Sequence, residues 1–91
     1  MRRIESAHPN PAVGPVQIQW AQKQESAVRI NVYDLHGRLV IGRDFGSVTG
    51  GVWVWNWDGK DKSGQTVPKG IYFAKLITDH AVDKARIVRL N

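Results

Sequence analysis

The residues best equipped for chemistry crowd into NWDGKDKSG, residues 56–64. Asp58, Asp61 and Ser63 there offer oxygen donors at short spacing, as a calcium loop would. A helix–loop–helix calcium site needs about three acidic or amide ligands and a distal glutamate. Here Lys60 and Lys62 stand between the donors, and no glutamate follows. Asp58 and Asp61 therefore read as acceptors for free backbone N–H groups in consecutive turns, with no metal implied. His8, His36 and His80 stand singly, without the spacing of a zinc site or a proton relay. The chain has no cysteine, which removes disulfides, thiolate ligands and thiol nucleophiles together. No serine lies in G-x-S-x-G, and Asp34 and Asp58, the conceivable carboxylate pair, both belong to turn signals. The expectation is no enzyme and no cofactor.

Binding is the other chemistry on offer. In GGVWVWNW, Trp53, Trp55 and Trp57 repeat two residues apart. On a strand they share one face, spaced about 6.5–7 Å, as a sugar-stacking platform would be. Val52 and Val54 occupy the opposite face. A domain this small cannot leave three indoles in water, because each exposed one forfeits roughly 2–3 kcal/mol of burial. The three are read mainly as core, although Trp53 or Trp20 singly could lie exposed and stack on a ligand.

The elements that must position these residues are strands. VQIQW alternates Val16, Ile18 and Trp20 against Gln17 and Gln19; VRINVY alternates Val28, Ile30 and Val32 against Arg29 and Asn31. Each suits a sheet with one wet face. DLHG at Asp34–Gly37 signals a tight hairpin. A strand returns from Arg38 to about Phe45, with Leu39 and Ile41, or Val40 alone, facing inward. GSVTGG is then a loop, VWVWNW and IYFAKLIT are strands, and the last strand covers about Val82 to Leu90. Arg3 to Ser6 would add an edge strand. HPNPAVGP holds three of the four prolines and should run along an edge. No stretch keeps a 3.6-residue apolar period. The fold class is all-β: an immunoglobulin-like, antiparallel two-sheet sandwich of six or seven strands, one domain over residues 1–91.

Composition agrees. Ninety-one residues with 42% hydrophobic and 23% charged are ordinary for one small globular domain. No run of about 18 apolar residues spans a membrane, and MRRIESAHPNP lacks the apolar stretch of a secretion signal. The net charge of +5 is dispersed, with one dense run, DKARIVRLN. Nucleic-acid binding is not expected from so scattered a pattern.

The segment NWDGKDKSGQTVPKGIYFAKL closely resembles the immunoglobulin-like domain of flagellar hook-capping proteins, the FlgD-like family. The shared pattern W-D-G-x-D-x-x-G-x-x-V-x-x-G-x-Y is carried by Trp57, Asp58, Gly59, Asp61, Gly64, Val67, Gly70 and Tyr72. PNP at Pro9–Pro11 and NVYDLHGRLV at Asn31–Val40 match the same family, and equally the C-terminal sorting domains of type IX secretion. The resemblance covers roughly residues 8–90. His8 stands where sorting domains usually have an aromatic, and the chain ends at Asn91 almost directly after its last strand.

The resemblance implies that Trp55 and Trp57 point into the sandwich and that Trp53 lies near its rim. Val67 should anchor the long loop, and Tyr72 should return its hydroxyl to loop backbone as a tyrosine corner does. It further implies a non-catalytic accessory domain, expected to be monomeric, at the C-terminus of a longer secreted or cell-surface precursor. Its partner would be a secretion-machinery component or a parent catalytic domain, with Lys84, Arg86 and Arg89 as candidate docking residues. The alternatives are a carbohydrate-binding module touching surface polysaccharide through Trp53, or the immunoglobulin-like domain of a hook cap.

Overall fold

The computed structural model describes residues 4–90. Seven strands follow one another: β1 (Ile4–His8), β2 (Val16–Gln22), β3 (Ser26–Asp34), β4 (Leu39–Val48), β5 (Gly51–Trp57), β6 (Gly70–Thr78) and β7 (Val82–Arg89). They form two sheets, β1-β2-β5 and β4-β3-β6-β7, with every strand pair antiparallel. Among the described residues there is no helix, hence none able to cross a membrane. The expected edge strand is β1, which ends two residues later than anticipated; Arg3 lies outside the described residues.

Alternation in the sequence becomes burial. Val16, Ile18 and Trp20 of β2 pack against Val28, Ile30 and Val32 of β3, joined by Ala74 and Leu76 of β6 and Ile87 of β7. The polar residues between them point to the outer faces, as a sandwich requires, although Asn31 is buried there and bonded to Arg29 and Tyr33. Trp20 is among the largest fully enclosed side chains, and its indole N–H donates to Gln22 Oε1 at 3.0 Å. Exposure of Trp20 for stacking is thereby corrected.

Strand β4 departs from simple alternation. Val32 opposes Ile41 and Tyr33 opposes Leu39, so Val40 is an extra residue inserted between them. A bulge of this kind re-aims side chains: Val40 is buried, Ile41 packs against the core, and Leu39 is exposed. Neither inner face read from period-two counting is right. A second shift, between Val28 and Arg29, makes Phe45 the extra residue. The strand then runs on to Val48, so the loop expected at GSVTGG shrinks to Thr49 and Gly50.

Candidate interaction surfaces

The long β5–β6 loop carries most of the polar motif, and its carboxylates are already committed. Asp61 Oδ1 accepts from Ser63 N at 2.9 Å, Gln65 N at 3.0 Å and the Ser63 hydroxyl at 2.7 Å. Asp58 Oδ1 accepts from Lys60 N at 3.0 Å. The Ser63 hydroxyl, with the loop N–H groups, holds the Asp61 carboxyl below its ordinary range. Asp34 does the same in the β3–β4 hairpin: the Arg38 N–H, then the Arg38 guanidinium and the His36 N–H, lower its pKa. Among the described residues no group of three His, Asp or Glu side chains could hold a metal. The donors that resembled a calcium loop are turn caps.

The same loop is fastened from below. Val67 is buried and Tyr72 donates its hydroxyl to Pro68 O at 2.7 Å, the tyrosine-corner arrangement. Burial pushes the Tyr72 phenol up, so it stays a donor. Trp57 is fully enclosed; its indole N–H donates to Lys60 O at 2.9 Å and its ring meets Tyr72 edge-on at 5.8 Å. Over that ring, 5.3 Å from its centre, lies the guanidinium of Arg89.

Arg89 is therefore not a docking residue. It is 2% exposed and donates to Gly14 O at 2.8 Å. Strand parity explains the correction: Ile87 and Arg89 point inward, Lys84 and Arg86 outward. The terminal basic run is thus split between two faces. Lys84 and Arg86 do stand together, exposed on the outer face of the four-stranded sheet. Register adds residues the sequence reading left out: Lys75 opposes Lys84, Phe73 opposes Arg86, and Tyr33 opposes Phe73. Along β3, Arg29 Nε donates to Asn31 Oδ1 at 2.9 Å, and Asn31 Nδ2 donates to Tyr33 Oη at 3.1 Å. The result is an aromatic pair bordered by cations. Parity in IYFAKLIT marks Phe73 and Lys75 as outward; only strand pairing sets them beside Arg86 and Lys84.

The three tryptophans of β5 do not make a platform. They oppose Trp20, Ile18 and Val16 on the inner face and grade from rim to core. Trp57 is enclosed, Trp55 half-buried, and Trp53 39% exposed. Trp53 spends its indole N–H on Thr49 O at 2.9 Å. Beside it a cleft of about 350 Å³ opens between β4 and β5, lined by Trp20, Phe45, Val48 and Val54 among others. Its Phe45 ring lies 5.4 Å from the Trp20 ring and 6.2 Å from Trp55.

A family model described as the FlgD Ig-like domain matches residues 10–79. No curated protein matches the chain. Among solved structures, dimeric latent PorU from Porphyromonas gingivalis superposes with a TM-score of 0.79 at 18% identity, over 92% of this chain and 9% of that one. FlgD from P. aeruginosa superposes with a TM-score of 0.67 at 26% identity, over 80% of this chain and 60% of that one. The chain thus spans only part of the length of either structure it resembles.

Proposed function

This chain belongs to the FlgD Ig-like domain family, and from that premise we propose that it is a non-catalytic accessory domain of a longer secreted bacterial protein, serving as a docking signal for export and cell-surface placement. The observation that carries the docking role is the exposed outer face of the four-stranded sheet. There Lys75 and Lys84 stand directly opposed, with Arg86 beside them. Like charges directly across a sheet destabilise it, and an acidic partner would relieve that repulsion. The same partner could lie flat on Tyr33 and Phe73. The sorting-domain resemblance of the sequence supports export over a flagellar role.

Deleting residues 84–91 is a poor test, because it removes fully buried Ile87 along with the cations. Charge reversal at the two exposed positions leaves Ile87 in place. In a type IX-competent bacterium, a periplasm-targeted reporter fused to this chain should reach the cell surface, while its Lys84→Glu/Arg86→Glu form should accumulate in the periplasm. Equal surface delivery of both forms would reject the docking role. A polysaccharide-binding role through Trp53 has weaker support, since one half-exposed indole remains of the three.

A further inference from the structure

A two-sheet sandwich has four edge strands, and three of them here are blunted. The free side of β7 is closed by the proline-rich segment: Ala12 N donates to Val88 O at 2.8 Å and Leu90 N to Ala12 O at 2.8 Å. Asn10 completes the closure, its Nδ2 donating to Arg86 O and its Oδ1 accepting from Val88 N, both at 2.8 Å. At β1, Ile4 N donates to Asp83 Oδ2 of β7 at 2.9 Å. Strand β4 is bulged at two places, carries Arg43 opposite inward-facing Ile30, and gives Val40 O to Lys62 N at 3.0 Å. Bulges, inward-pointing charges and covering segments are the devices by which soluble proteins stop sheets from extending.

Strand β5 has none of them. It ends the order β1-β2-β5, and no backbone hydrogen bond reaches its free side from the described residues. GVWVWNW contains no charge and no proline. Val52 is 61%, Val54 43% and Trp53 39% exposed. The sheet face beside it continues uncharged through Gln17, Gln19 and Ala21, the register partners of Asn56, Val54 and Val52.

We propose that the free edge of β5 pairs with β5 of a second copy of this chain, in a two-fold symmetric dimer that joins two three-stranded sheets into one of six strands. Charge selects this occupant. On a molecule of net charge +5, copies repel through the basic four-stranded face, whereas the neutral β5 edge lets them meet. The pattern is also self-complementary. An antiparallel register centred on Val54 sets Trp53 of one copy opposite Trp55 of the other, covering the two indoles that the monomer leaves part-exposed. This replaces the monomer expected from the sequence and is independent of the docking role of Lys84 and Arg86.

Analytical ultracentrifugation of the 91-residue chain over a concentration series tests it. The mass should climb from 10.2 kDa toward twice that value. Val54→Lys should weaken dimerisation at least about tenfold, with the far-ultraviolet circular dichroism and melting temperature of the monomer retained. Val52→Lys gives the same test should Val54→Lys fail to fold. Lys84→Glu should dimerise at least as well as the parent. A chain that stays at monomer mass throughout, a folded edge-lysine variant that still dimerises, or dimerisation lost in Lys84→Glu would each overturn the proposal.

Discussion

Gly59 shows how one residue ties the loop to the core. Its φ is +78°, a backbone state that side chains rarely adopt, and a Cβ there would run into the Arg89 guanidinium. That guanidinium in turn covers Trp57. The glycine of the W-D-G motif therefore makes room for a buried cation as well as shaping a turn. Tyr72 is the companion case, with a phenol that has one protein acceptor, Pro68 O. Tyr72→Phe keeps the ring against Trp57 and removes only that bond, so urea denaturation should show a loss of about 1 kcal/mol. An unchanged midpoint would mean that the corner does not fasten the loop.

Among the elements, the β5–β6 loop is held by carboxylates and the β3–β4 hairpin by another. Both Asp61 and Asp34 have pKa values lowered in the folded state. A lowered folded pKa contributes stability that is complete above the unfolded value, near about 3.9, and is lost as pH falls through the folded value. The melting temperature should therefore hold from neutrality to about pH 5 and decline below about pH 4. Asp61→Asn should be less stable at neutral pH and show a shallower acid decline. An equally steep decline in Asp61→Asn would assign the acid sensitivity elsewhere. Most of this loop was legible in advance. The short acceptors, the glycines and the single apolar Val67 each have a local reason, and local reasons survive without knowledge of the partner strands. Strand β4 was less legible: Gly46, at φ +67°, is a local cue for the second bulge, but the first, at Val40, arises where the strand pairs with β3 and has no such cue.

For the whole molecule, the packing of two sheets decides which aromatics meet solvent. Trp20 and Trp57 are enclosed, Trp55 is half-covered and Trp53 lies at the rim. Iodide should thus quench only a minority of the tryptophan emission, and Trp53→Phe should shrink that quenchable fraction. Quenching of most of the emission would contradict the packing of Trp20 and Trp57 between the sheets. The candidate docking face belongs to this scale too, because it spans β6 and β7 and the sequence-distant β3. One dense run in the sequence names Lys84 and Arg86 as candidates; it does not name Lys75, Phe73 or Tyr33, since alternation gives a residue's face and never its neighbour.

By itself the sequence determined where most strands lie, the wet and dry sides of β2 and β3, and the turn chemistry of the long loop, because each depends on residues within a few positions of one another. It also carried the motif by which the family is identified, and the absence of thiol chemistry. Tertiary structure alone decided that Arg89 lies over Trp57, that Lys84 meets Lys75 and Arg86 meets Phe73, and that β5 is the edge left open. Those outcomes depend on which strand lies beside which, and pairing between distant segments is fixed by the collective burial of both sheets rather than by any local pattern.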